Sequence, residues 1–405
     1  ALGGDSIIAL QVAARAGGEG LRVPAQAVFA HQTLAELAAV ADSAPAEPVI
    51  TRHVDGPPVM TPAQTWFFGL NLAVPGHWNQ SALVVTPAGF DVARFEKAWE
   101  LVVARHDVLR WRYENGRTEP TESGVSCAVK PLDELPTAVE EAQAGLDLVA
   151  GPIVRAVVFT GGEEREGRLL LVAHHLVIDG VSWPVLMEEL STAYAGNVLP
   201  EAMLTWGPWT HALAAAANAP ETQHELTYWR SVAAAESLPR DEIAPGRGCG
   251  GDEAVIERAL SVAETTTLLQ ETGKAYRTQI NDLLLAALAR TLKEWTGRNG
   301  HTIMMEGHGR EDFAGAPDVS RTVGWFTSLF PLHLAAAEEP GELIKTVKEQ
   351  VRAVPRRGLG YGLLRYLGSP EVQTEPGRRE EPEFACKYLG QVDGDAGREG
   401  FGAAP

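Results

Sequence analysis

The stretch RLLLVAHHLVIDGVSW at residues 168–183 places two histidines, an aspartate and a glycine directly after an apolar run. Imidazole is the side chain best suited to moving protons near neutral pH, so this is a candidate proton-transfer centre. A second concentration of reactive groups stands at HTIMMEGHGRED, residues 301–312, where Glu306, His308, Arg310 and Glu311 fall within six residues of one another. A third stretch to place is FACKYLGQVDGD, residues 384–395, which carries Tyr388. Near the start, LGGDS presents Ser6 as a hydroxyl at a helix start, which on its residues alone is equally an N-cap.

Elements must hold these groups in place. Leu169 to Ala173 are too few for an independent helix and do not alternate, which predicts a strand buried on both faces. Adjacent strand side chains point to opposite faces, so one of His174 and His175 is expected to enter a cavity while the other packs inward. Gly180 would allow a sharp return, and Ser182 would cap a helix carrying Trp183, Leu186, Met187, Leu190 and Tyr194. Ile303 to Met305 predict a short buried strand that ends at Glu306 in a loop opened by Gly307 and Gly309. Arg321 opens RTVGWFTSLFPLHL, a glycine-aromatic turn leading to a strand, in which Trp325 and Phe326 are expected in the core. Tyr388 is expected on a short strand before Gly390.

Between these motifs the pattern is scaffold. TPAQTWFFGL (61–70) predicts a helix and residues 77–85 a strand. Asp91 would cap a helix burying Phe95, Trp99, Val102 and Val103, and VLRWRY alternates toward an Asn115-Gly116 hairpin turn. A helix over 278–296 should stop at Gly297, and another runs through Leu343, Val347 and Val351. GLGYG at 358–362 follows a helix and has no closing lysine, so no phosphate loop is implied. Thr33 and Glu36 have capping-box spacing ahead of another short helix, and residues 42–58, with four prolines and no periodicity, read as a linker.

The 405 residues, 45% hydrophobic, exceed one ordinary core and predict two or three compact units. A formal net charge of -19 disfavours nucleic acid and anionic membrane surfaces as partners. No apolar stretch is long enough to span a bilayer as a helix, and no signal peptide is seen. Cys127, Cys249 and Cys386 are distant from one another and lack metal-ligand spacing, which points to a reducing, cytoplasmic compartment.

With TPAQTWFF, HHLVIDGVSW, EGHGRE, RTVGWFT, PRRGLGYG and YLGQ in this order, the chain resembles an epimerization domain of a nonribosomal peptide synthetase. That family lies in the condensation-domain superfamily. HHxxxDG is shared across the superfamily, whereas the terminal Trp183, EGHGRE and GWFT distinguish epimerization from condensation. LGGDSI and FAHQTLAELAAV resemble the C-terminal part of a peptidyl carrier protein without its first helix.

The resemblance implies an α/β fold of two chloramphenicol-acetyltransferase-like lobes in a V shape around a tunnel, with a short helical carrier remnant at the N-terminus. The divisions would be 1–41 carrier remnant, 42–58 linker, 59–235 N-terminal lobe and 236–405 C-terminal lobe. Ser6 would carry 4'-phosphopantetheine. The substrate would be an aminoacyl or peptidyl thioester on a carrier protein, with an upstream adenylation and a downstream condensation domain as partners. The second lobe would end short of the family's usual length at Pro405.

Inverting an amino-acid α-carbon needs one proton removed and another returned to the opposite face. A thioester carbonyl accepts the carbanion charge as an enolate, so neither a metal nor pyridoxal phosphate is required. His175 is the candidate base, and Glu306, desolvated and raised in pKa, the group serving the far side; either could serve either enantiomer. Tyr388 would border the enolate oxygen. His174 and Asp179 are assigned to architecture, with Arg321 as the expected partner of Asp179. The family usually has Asn where this chain has Lys387, which brings a cation, or a further base, beside Tyr388, and either enolate stabilisation or altered activity. The competing functions are a peptide-bond-forming condensation domain and a catalytically silent recruitment module.

Overall fold

A computed structural model of the chain describes residues 33–41, 58–114, 117–120, 126–199, 205–239, 254–373, 381–390 and 402–403, with scattered positions between 8 and 31. Ser6, Cys249, most of the expected linker and the Asn115-Gly116 turn lie outside the described residues.

Near the N-terminus, Thr33 and Glu36 close a reciprocal capping box at the head of α1 (Leu34–Val40). The first lobe opens with α2 (Pro62–Gly69), where Thr61 and Gln64 form another. The strand β1 (Asn79–Thr86) follows, and then α3 (Val92–Arg105), which Asp91 caps by accepting the N–H of Arg94. The helix buries Phe95, Trp99, Val102 and Val103, as its spacing predicts. The hairpin β2 (Trp111–Glu114) and β3 (Arg117–Pro120) brackets residues 115–116.

Strands β4 (Ser126–Pro131), β5 (Val154–Thr160) and β6 (Gly167–His174) lie with β1 in a five-stranded sheet, in the order β1-β6-β5-β4 with the short terminal strand on the far side of β1. The central strand β6 is buried from Leu169 to His174, and α4 (Leu135–Ala144) covers one face. The helices α5 (Ser182–Tyr194) and α6 (Trp206–Ala217) belong to the core on the other.

The second lobe contains α7 (Ile280–Thr296), whose C-terminal Gly297 adopts the left-handed φ of 74° that glycine tolerates. Strand β7 (Gly300–Gly307) then pairs antiparallel with β8 (Ser328–Ala335). The helix α8 (Pro340–Ala353) packs on them, and β9 (Ala385–Cys386) joins β7 in parallel. Two large cores result, and each borrows across the lobes. Val319, Val323, Trp325, Phe326, Leu359 and Leu363 pack into the first core, while Trp229 packs into the second.

The final strand β10 (Gly402–Ala403) pairs with β1, so these two residues lie on the edge of the first sheet although the sequence division assigns them to the second lobe. Such exchange ties the lobes through buried apolar area, which is the main stabilising contribution in a fold.

Candidate active site

The first histidine, His174, ends β6 and is fully buried. Its Nε2 is 2.9 Å from the Pro75 carbonyl, and its Nδ1 accepts the N–H of Leu176. A carbonyl only accepts, so the ring is the Nε2–H tautomer. Burial lowers its pKa to about 4, keeping it neutral. His175 is the first residue of a 3-10 turn over His175–Val177, and its ring is only partly covered. Strand alternation predicts that the two histidines part to opposite faces of β6. They are separated instead by the change from strand to turn, which swings His175 out of the sheet.

The His175 ring is fixed on three sides. Nδ1 lies 2.9 Å from the Ile178 carbonyl, Nε2 lies 2.9 Å from the Gln80 amide nitrogen, and the Trp325 ring sits 4.6 Å away between centroids. Its pKa is lowered, mainly by burial, with the Lys387 charge adding to the effect and Asp179 opposing it. Gln80, on β1, accepts in turn from the Trp183 indole at 2.8 Å. Sequence reasoning missed Gln80, which is one of three consecutive polar residues, Asn79 to Ser81, at the start of β1 and carries no signal of its own.

Asp179 does not meet Arg321. It is buried and pairs with Arg310 at 3.2 Å, while also accepting the N–H groups of Ser182 and Phe326. Arg310 is itself buried, donates to the carbonyls of Val319 and Thr322, and lies over the Phe326 ring at 3.7 Å. Arg321 instead reaches Glu188 and Glu189, at 3.5 and 3.6 Å. The physical reason is position along α5. The loop after β7 folds over the start of that helix, whereas Arg321 meets its second turn, some 10 Å further on at about 1.5 Å per residue.

Ser182 does not act as the helix cap either. Asp179 takes the Ser182 N–H, and the Ser182 hydroxyl bonds Asp179, Arg310 and the Gly324 backbone. Two glycines permit this crowding. A Cβ on Gly309, whose φ is 70°, would stand 1.7 Å from the Phe326 carbonyl oxygen, and one on Gly324 would stand 2.0 Å from the Trp206 ring. Gly180 has open space around it and no left-handed φ, so nothing in the structure explains a glycine there.

Glu306, at the end of β7, is partly exposed and pairs with Lys387 at 2.8 Å. The desolvated carboxyl expected from sequence is therefore an ion-paired one. Lys387 directly follows β9, whose residue Cys386 is the register partner of Met305, and this places the two side chains together. Tyr388 is partly buried and lies two residues beyond β9 rather than on it.

Deeper in the same loop, His308 accepts the Arg310 N–H at Nδ1 and stands 3.0 Å from Glu311 through Nε2. Burial pushes Glu311 up to about 7 and lowers His308 to about 3, so a neutral His308 donates to Glu311. Among the described residues, no group of three His, Cys, Asp or Glu is arranged to hold a metal, and no helix is long and apolar enough to cross a membrane.

Two lobes that share their cores around a histidine turn are matched by known proteins. The condensation-domain family matches residues 57–391, and the phosphopantetheine attachment site family matches residues 1–41. The chain belongs to the condensation-domain family. It is 35% identical to tyrocidine synthase 1 of Brevibacillus parabrevis over 100% of its length, and 35% identical to surfactin synthase subunit 1 of Bacillus subtilis over 98%. It spans only 39% and 12% of those two proteins.

Among solved structures, the epimerization domain from the third module of tyrocidine synthetase B is 33% identical, with a TM-score of 0.78 over 87% of this chain and 83% of that one. The first condensation domain of the calcium-dependent antibiotic synthetase shares the fold at 20% identity, a TM-score of 0.58, and coverage of 83% and 82%. The α/β fold is thus that of condensation domains, whose lobes are chloramphenicol-acetyltransferase-like, and the N-terminal match makes 4'-phosphopantetheine the covalent cofactor.

Proposed function

We propose that this chain equilibrates the L and D configurations at the α-carbon of an aminoacyl or peptidyl thioester in nonribosomal peptide synthesis. The thioester hangs from 4'-phosphopantetheine on a carrier protein, Ser6 being the attachment residue of the carrier segment at residues 1–41. The upstream adenylation domain loads that arm, and the downstream condensation domain consumes the D product. One observation carries the reading. An imidazole from the first lobe lies within electrostatic reach of a carboxylate–ammonium pair from the second, the Lys387 charge lowering the His175 pKa while Lys387 bonds Glu306 at 2.8 Å. The closer likeness to an epimerization domain than to condensation domains points the same way.

In this reading the Nε2 of His175 takes the α-proton, breaking the C–H bond, and the thioester carbonyl accepts the electron pair as an enolate. Tyr388 and the Lys387 ammonium stabilise the oxygen as charge develops there. The opposite face receives a proton from the Glu306–Lys387 pair, which in its ionic form stores one on the ammonium. His175 has then gained a proton and the pair has lost one. The pair regains a proton from solvent and His175, itself partly exposed, releases one, which resets the enzyme, and the reverse direction exchanges the two roles. His174, Asp179 and Arg310 hold the loop that presents His175.

The test loads the full carrier with an α-deuterated aminoacyl group, adds this chain, and follows deuterium loss and chirality after thioester hydrolysis. Washout with formation of both enantiomers is expected. Retained deuterium and configuration would refute the reading, and an amide product with an acceptor carrier would assign the chain to condensation.

A further inference from the structure

The reaction as proposed uses His175 but gives no task to Gln80 or Trp183, although both lie against it. Trp183 stands in the first turn of α5 and Gln80 on β1, whose neighbour in the sheet is β6. An indole nitrogen can only donate, so its 2.8 Å contact turns the Oε1 of Gln80 toward Trp183. The amide N–H group is thereby aimed at the Nε2 of His175, 2.9 Å away. On the other side of the ring, Ile178 offers only a carbonyl, so Nδ1 carries the hydrogen. The three contacts are mutually consistent in one arrangement, with a lone pair on Nε2.

We propose that Trp183 and Gln80 are positioning residues that lock His175 in its Nδ1–H tautomer and cover its Nε2 lone pair with an amide N–H that substrate must displace. This rests on His175 being the proton-transfer group. Protonating Nε2 with the amide in place would set N–H against N–H. The amide cannot turn to relieve that clash without giving up its bond to the indole. The chain therefore opposes a long-lived imidazolium, and a proton taken from the α-carbon is readily returned or passed on. It also assigns a task to the tryptophan that closes HHLVIDGVSW.

The charged and titratable groups acting on the ring are Asp179 and His174 from its own segment and Lys387 from the second lobe. Trp325 and Trp78, which touch its ring and its backbone N–H, are uncharged. All of these remain when the amide chain is altered.

The test uses Gln80→Glu, which replaces the donor by an acceptor, and Trp183→Phe, which keeps the packing but frees the amide to turn. Nitrogen-15 NMR of the His175 ring in the whole chain reads tautomer and titration without substrate. The acidic limb of the pH profile for α-proton exchange reads the same group during turnover.

In Gln80→Glu the ring titration and the acidic limb should both move up by about one pH unit or more, as expected for a hydrogen bond to a charged group. Trp183→Phe should move them the same way by less and admit the Nε2–H tautomer. Folded variants whose His175 titrates as in the wild type would overturn the proposal. Should the ring shift as expected while His175→Ala still exchanges the α-proton, the orientation chain stands and the assignment of His175 as base fails. The two ideas are separately testable.

Discussion

Removing the Asp179 carboxylate should cost the fold far more than the chemistry. Asp179 and Arg310 are 4% and 6% exposed, and their ion pair spans 3.2 Å. In Asp179→Ala the guanidinium stays buried with the Val319 and Thr322 carbonyls and the Ser182 hydroxyl, but without its carboxylate partner. The N–H groups of Ser182 and Phe326 lose their acceptor as well. Breaking a buried pair from one side costs about 3–5 kcal/mol. Against the roughly 5–15 kcal/mol that holds a domain folded, this is a large fraction. At about 2–4 °C per kcal/mol for a lobe of 150–250 residues, the melting temperature should fall by roughly 6–20 °C.

A double-mutant cycle identifies the partner. Asp179→Ala combined with Arg310→Met should be strongly non-additive, because the second change removes the charge that the first stranded. Asp179→Ala combined with Arg321→Met should be additive within about 0.5 kcal/mol. Circular dichroism melts of the single and double variants suffice. A wild-type melt for Asp179→Ala, or stronger coupling to Arg321 than to Arg310, would refute the argument.

Other outcomes follow from the same geometry. His175→Ala should melt like the wild type while α-proton exchange falls by at least about 10²-fold, read by deuterium washout. Lys387→Asn removes a partly exposed ion pair worth at most about 1 kcal/mol, so stability should barely change. Exchange should slow by about 10-fold or more if that ammonium stores the returning proton, and an unchanged rate would remove it from the mechanism. His174, buried and lowered from 6.5 to about 4, binds a proton more readily unfolded than folded. Its stabilisation is complete above about pH 6.5 and is lost as pH falls toward 4, by roughly 3 kcal/mol in all. Denaturant titrations of wild type and His174→Gln should diverge across that window, and parallel curves would contradict it.

Much of this protein follows from local pattern. The buried run Leu169–Ala173, the capped helix after Asp91, the helix stopped by Gly297 and the hairpin around residues 115–116 are each specified by residues near one another in sequence, through periodicity, side-chain capping or glycine's tolerance of positive φ. The two histidines and Glu306 were visible as reactive groups at strand ends for the same reason, whereas Lys387 stood out only against the pattern of the family. Motif order also carried the family, since it depends only on residue identity and spacing.

What remained hidden was pairing between segments distant along the chain. Sequence reasoning chose Arg321 as the partner of Asp179, and only the fold of the loop after β7 over the start of α5 shows it to be Arg310. The meeting of Glu306 and Lys387 depends on the register of β9 against β7, and Gln80 reaches His175 because β1 lies beside β6. Sequence determined which groups could move a proton. Tertiary structure decided which of them touch, because hydrogen bonds and ion pairs act over a few ångströms of space irrespective of distance along the chain.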